Sequence, residues 1–150
     1  AYVVLATFVM FSLLLRSLLL ALLALIPNII AATAVMAFMG FAGIPLDMMT
    51  ITIAAISIGI GVDDAIHYLH RFNEEYRQSA NIRTAIERAH QTIGRAMYFT
   101  SMIIMVGFSI LAFSNFLPTV YFGLLTALAM LLALIANLTL LPALLVKLYR

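Results

Sequence analysis

An all-α membrane protein is the fold class this sequence predicts: a bundle of five transmembrane helices with one amphipathic helix on the cytoplasmic side. Three observations lead there. Of the 150 residues, 65% are hydrophobic and only 9% charged, whereas a soluble domain carries about 25% charged residues. The apolar residues fall in runs approaching the roughly 20 that a helix needs to cross hydrocarbon. The positive charges lie in alternate connections only. The net charge of +2 and pI near 9.2 therefore reflect membrane topology, and no nucleic-acid partner is expected. With no cysteine there is no disulfide framework, which leaves the redox compartment open.

The first span is expected over 1–15. It is short, and the chain opens inside an apolar run without a basic n-region or cleavage site, so it reads as an internal piece rather than a signal peptide. Arg16-Ser17 turns the chain. The second span, 18–39, contains Pro27, which removes a backbone donor and should kink it. Gly40, Gly43 and Pro45 make the next stretch a loop. The third span, 48–69, must end before Arg71. Residues 81–95 carry Ile82, Ile86, Ala89 and Ile93 at helical spacing among Arg83, Glu87, Arg88 and Gln91. This pattern predicts an amphipathic helix on the inner leaflet, or else a solvated linker helix. The fourth span is expected over 96–113. A turn at Ser114-Asn115-Phe116-Leu117-Pro118 leads to the fifth, 119–148, with Pro142 near its end.

All eight Lys and Arg fall at Arg16, between Arg71 and Arg95, or at Lys147 and Arg150. Alternating spans put these regions on one side, and the opposite loops hold none, a positive-inside pattern. The expected topology is multi-pass in a bacterial cytoplasmic (inner) membrane, with a cytoplasmic C-terminus. The N-terminus then enters from outside, which suggests a preceding extracytoplasmic domain.

Asp63 and Asp64 are the candidate functional residues, because they interrupt an apolar run: Ile60-Gly61-Val62-Asp63-Asp64-Ala65-Ile66-His67. Ionisable groups in a bilayer core are costly and usually serve protons, ions or substrates. From Met48 to Val62 the run spans about 22 Å at helical rise, short of the roughly 30 Å hydrocarbon core. Extension to Leu69 supplies the missing length, leaves Arg71 to snorkel at the interface and sets the doublet in the inner half of the membrane. The competing reading makes the doublet an interfacial cap or an ion pair with Arg71.

On a helix, Asp63 shares a face with Thr52, Ile56, Gly59, His67 and His70, while Asp64 points about 100° away, nearer Ser57 and Tyr68. Gly59 and Gly61 offer close approach to a neighbouring helix. Ser57, His67, Thr100, Ser101 and Asn137 are expected as relay or packing support, with Ser109 and Thr126 as further companions. The stripe Thr126, Met130, Ala133 and Asn137 fits helix packing better than relay. Desolvation, and then mutual repulsion, would let two adjacent carboxylates hold and release a proton near neutral pH.

With this topology and doublet, the chain resembles one half of the membrane domain of a resistance-nodulation-division (RND) transporter, of the MMPL type or "predicted RND exporter" group, related to sterol-sensing domains. The matching stretches are Phe41-Ala42-Gly43-Ile44-Pro45-Leu46, Gly59 through His67, and Leu141-Pro142-Ala143-Leu144-Leu145. The resemblance implies helices two to six of a six-helix half-repeat, leaning to the C-terminal half. It also implies proton relay by Asp63 and Asp64 in proton-motive-force-driven export of lipids or other hydrophobic compounds. The implied partners are protons, the hydrophobic substrate, membrane lipids, the other half-repeat and porter domain of the same polypeptide, and further copies in a homo-oligomer. No cofactor, resident metal or catalytic residue is implied. Many members of the group carry an aromatic residue in the slot of Asp64, so which carboxylate couples stays open, and the lysine partner of some drug-efflux members is missing.

Three other functions compete. A sterol-sensing-like module would bind lipid or partner proteins without pumping. An intramembrane aspartyl protease would need a facing second aspartate, which adjacent helix positions do not provide. Metal transport would use Asp63, His67 and His70, whose spacing suits ligation.

Overall fold

A computed structural model describes residues 18–45 and 48–148. The expected span 1–15 and the Arg16-Ser17 turn lie outside the described residues. Five α-helices follow: α1 (Leu18–Phe41), α2 (Met48–Ser79), α3 (Ile82–Ala89), α4 (Arg95–Ser109) and α5 (Leu117–Leu148). A π-helical turn, His90–Gly94, joins α3 to α4, and a 3₁₀ turn, Ile110–Phe113, ends α4. Among the described residues, four helical stretches are long and apolar enough to cross a membrane: Leu22–Phe41, Ile51–Ser79, Ile82–Phe113 and Leu117–Leu148.

Local chemistry sets the helix ends. α1 continues through Pro27 and closes in a Schellman motif. There Ile44 N–H donates to Met39 O at 3.0 Å and Gly43 N–H to Gly40 O at 3.4 Å. Gly43 takes φ +66°, which a residue without Cβ adopts at no steric cost, and Pro45 prevents continuation. Between α2 and α3 the turn is only Ala80-Asn81. Ala80 adopts φ +50°, a strained value for a residue with Cβ, at about 1 kcal/mol. Asn81 caps α3, its Oδ1 accepting from Arg83 N–H at 3.0 Å and Thr84 N–H at 3.4 Å.

Helix α5 is the hub, packing on α1, α2 and α4. Its buried stripe includes Thr126, Ala129, Met130, Ala133 and Asn137, small enough at the alanines for close helix approach. Near its start Gly123 touches the end of α4. A Cβ there would lie 2.5 Å from Phe108 O and 2.6 Å from Leu111 Cβ.

Two features differ from the sequence expectation. Helix α2 does not stop at Leu69 but runs to Ser79. The apolar stripe of α3 covers that extension, rather than lying only on the leaflet: Ala85 and Ala89 are buried in one cluster with Leu69 and Phe72, with Tyr76, Ile82 and Ile86 packed around it. Helix α3 then continues into α4 with only the π turn between them. Val146 of α5 lines the same groove as Ile82 and Ile86, so the Lys147 end of α5 and the basic α3 share one end of the bundle.

Glu75 fastens this extension. Its carboxylate is buried between Arg71 Nη2 at 2.7 Å and Arg88 Nη1 at 3.1 Å. Arg71 also meets Glu74 at 3.1 Å, so it pairs with these glutamates rather than with the aspartate doublet. Removing one partner of a fully buried ion pair costs about 3–5 kcal/mol. Arg88 is half exposed here and can rehydrate, so Glu75→Ala is expected to cost less, about 1–3 kcal/mol, read as a lower melting temperature of the full-length protein in detergent.

Candidate functional site

The faces of α2 decide where its polar residues go. Ile53, Ser57, Gly61, Val62, Ala65 and Leu69 turn into the bundle. Thr52, Gly59, Asp63, His67 and His70 form the opposite, open face. Asp63 is 15 residues beyond Met48 in a helix that continues to Ser79, so the doublet sits about 22 Å along an element some 48 Å long.

The Asp63 side chain is 70% exposed on this bundle, and its Oδ1 lies 3.7 Å from His67 Nε2. Asp64 is half-buried and turned toward α4, on the side where the Ser101 hydroxyl lies. Ser101 itself is buried. The two carboxylates open onto a cleft of about 460 Å³ between α2 and α4. Helix α2 lines it with Ile60, Asp63, Asp64 and His67, and the opposite wall is Ile93, Ala96, Met97, Thr100 and Ile104. Thr100 faces the cleft with its hydroxyl already donating to Ala96 O and Met97 O, both at 3.1 Å. Two acids, an imidazole and a hydroxyl thus meet in an otherwise apolar slot.

The remaining candidates stand elsewhere. Gly59 has open space where a Cβ would be. A Cβ on Gly61 would strike Asn28 Oδ1 and come within 3.3 Å of Ala133 Cβ, so this glycine admits both α1 and α5. Asn137 donates to Gly61 O at 2.9 Å and to Asn28 Oδ1 at 3.3 Å, while Asn28 donates to Ala24 O at 2.9 Å. Both asparagines are buried, and the knot ties α1, α2 and α5 together. Ser57 is buried beside Ala32, Val35 and Ala129, its hydroxyl without a hydrogen-bond partner among the described residues. Ser57, Gly61 and Asn137 therefore belong to the helix interfaces rather than the cleft.

Among the described residues no group of three His, Asp or Glu side chains is placed to hold a metal ion. Sequence reasoning passed over Asn28, and its signal was available: a lone amide after Pro27 in a run of Leu, Ile and Ala. It also passed over His90, whose ring nitrogen Nδ1 lies 2.7 Å from the hydroxyl of the fully buried Tyr68.

Comparison with known proteins yields one family model, described as the MMPL family, matching residues 1–150. The chain is 38% identical over 122 residues to a membrane protein of Methanocaldococcus jannaschii, covering 81% of this chain and 31% of that one. It is 30% identical over 105 residues to the hopanoid transporter HpnN of Burkholderia multivorans, covering 67% and 11%. It is 34% identical over 73 residues to the membrane protein YdgH of Bacillus subtilis, covering 48% and 8%. The chain thus spans less than a third of the length of these curated relatives. No solved structure matches it.

Proposed function

The chain belongs to the MMPL family of RND-type membrane proteins, and from that premise we propose that it forms part of a proton-driven exporter of lipids or other hydrophobic compounds. Asp63 and Asp64 relay the protons. The observation that carries this reading is the placement of both carboxylates at one cleft on an apolar helix, with Asp63 on the face that α1 and α5 leave uncovered. An ionised acid is not stable against lipid tails, so it faces a bundle interior or water. The other half-repeat of the same polypeptide is the natural cover for that face, and a porter domain handles cargo outside the membrane. The similarity to a hopanoid transporter supports a lipid cargo.

The coupling is electrostatic. With both acids ionised, the open face of α2 must keep water or a cation beside it. Once a proton binds, the charge that opposed dry packing falls, and the helices of the two halves can close on each other. Release toward the cytoplasm reverses the packing. Each proton falling through 100 mV supplies about 2.3 kcal/mol, enough to shift a two-state equilibrium whose states differ by a few kcal/mol. Such rocking of repeats is common transporter behaviour.

The test is proton flux. Full-length protein in proteoliposomes with a trapped pH dye and a hopanoid as cargo is expected to acidify the lumen faster than empty vesicles after an external acid jump. Cargo binding without any protein-dependent flux would instead mark a lipid-sensing module that does not pump.

A further inference from the structure

Tyr68 and His90 are a buried polar pair that the reading above does not use. Tyr68 is fully buried, its hydroxyl is 2.7 Å from His90 Nδ1, and the rings meet edge to face at a centroid distance of 5.4 Å. A neutral phenol and imidazole at this distance make a strong hydrogen bond. The surroundings are built for it. His90 opens the π turn His90–Gly94, an irregularity that is frequent at functional sites. Gly94 closes that turn, where a Cβ would press within 3.3 Å of Leu138 Cδ2 and 3.7 Å of the His90 ring. The turn therefore seats the imidazole and still lets α5 approach.

The pair also lies next to the acids. Tyr68 is four residues beyond Asp64, one turn along the same face of α2. Ile93 of the π turn lines the cleft that Asp64 opens into. His90 is only half-buried, and it lies toward the end of the bundle that carries Arg88 and Glu75. We propose that Tyr68 and His90 form the cytoplasmic branch of the proton path, carrying a proton from Asp64 to water. This rests on the carboxylate-relay reading and extends it.

The step balances. Nδ1 of His90 accepts from the Tyr68 hydroxyl when the imidazole carries its proton on Nε2. The Asp64 carboxyl proton passes across cleft water to the Tyr68 oxygen as the Tyr68 O–H proton moves to Nδ1. The imidazolium then gives its Nε2 proton to cytoplasmic water, and a ring flip turns the remaining N–H outward and the bare nitrogen to the Tyr68 hydroxyl, so that the next proton meets the same arrangement. One proton enters, one leaves, and Asp64 is left ionised. The charged and titratable groups on the adjoining turns are Asp63, Asp64, His67, Arg71 and Glu75 on α2, Glu87 and Arg88 on α3 and Arg95 on α4. Helix α1 contains no titratable residue, and the only ones in α5 are Tyr121 and Lys147 near its ends.

The test uses full-length protein in proteoliposomes with a trapped pH dye, comparing Tyr68→Phe, His90→Gln and Asp64→Asn. Phenylalanine keeps the ring and loses the hydroxyl. Glutamine still accepts the Tyr68 hydrogen bond but cannot carry the proton onward. Both are expected to slow flux at least about tenfold. In a His67→Gln background, which removes the cleft imidazole, flux should still vary with cytoplasmic-side pH. His90→Gln should abolish that variation, whereas a purely structural loss would lower flux equally at every pH. Wild-type flux and pH dependence in Tyr68→Phe or His90→Gln, with Asp64→Asn inactive, would overturn this branch alone. Full flux in the Asp63→Asn/Asp64→Asn double variant would overturn the underlying relay instead. Should Tyr68→Phe fail to fold, His90→Gln at its half-buried position decides the matter.

Discussion

Asp63→Asn and Asp64→Asn, made together in the full-length protein, are expected to reduce proton-coupled flux at least about a hundredfold, the lower end of what proton transfer by a placed side chain contributes. An amide has the carboxylate's shape and can still hydrogen-bond, but it takes up no proton in the physiological range. Folding should be nearly untouched. Asp63 is largely exposed on this bundle and His67 Nε2 stands 3.7 Å away, so little packing depends on its charge. Asp64 is only half-buried, and as asparagine it can still hydrogen-bond to water in the open cleft. Melting temperature and membrane insertion should therefore match the wild type while flux collapses. The single variants separate the two acids. If Asp64 carries the proton and Asp63 tunes it electrostatically, Asp64→Asn abolishes flux and Asp63→Asn only slows it. The reverse order would assign the coupling to Asp63, with His67 as its nearest partner. A double amide variant that pumps at the wild-type rate refutes the relay altogether.

Gly61→Ala is expected to cost substantial stability. The new methyl would collide with Asn28 Oδ1, lie 3.1 Å from Asn28 Cγ, and press Ala133 Cβ at 3.3 Å. Asn28 sits at the end of a movable side chain, but it cannot turn aside freely, because its amide group holds Asn137 and Ala24 O. Overpacking a tight contact costs about 1–3 kcal/mol. Breaking hydrogen bonds between membrane helices adds about 0.6–1.7 kcal/mol. Together they predict a loss of about 2–4 kcal/mol, read by unfolding of the full-length protein in detergent. A double-mutant cycle tests the cause. In an Asn28→Ala background the collision partner is gone, so Gly61→Ala should cost clearly less than it does alone. Equal cost in both backgrounds would mean that Ala133, and not the asparagine knot, sets the limit. Asn137→Leu should also destabilise, since it strips donors from both Asn28 and the Gly61 carbonyl.

Much of the helical layout was legible because its signals are local. Gly43 and Pro45 mark the end of α1 by backbone chemistry alone, and the Schellman motif forms where they stand. The apolar runs at 18–39 and 119–148 need no knowledge of partners, since each is predominantly apolar over at least the length that hydrocarbon requires. The end of α2 was not legible in this way. Arg71, Glu74 and Glu75 look like the margin of a span, yet the helix runs on because α3 folds back on it and Glu75 gains two arginines. No window of residues around Leu69 contains Arg88.

The sequence by itself determined that these helices belong to a membrane, that two acids interrupt the apolar run of α2, and that helical periodicity groups Asp63 with Gly59, His67 and His70. Only the tertiary structure decided which polar groups serve which purpose. It turned Gly61, Asn28 and Asn137 inward as a knot between three helices, left Gly59 and Asp63 on the open side, and joined Tyr68 to His90. Periodicity fixes which residues share a face, but the rotation of a helix about its axis is set by what packs against it. That is a property of α1, α4 and α5 acting on α2, and it cannot be read from α2 alone.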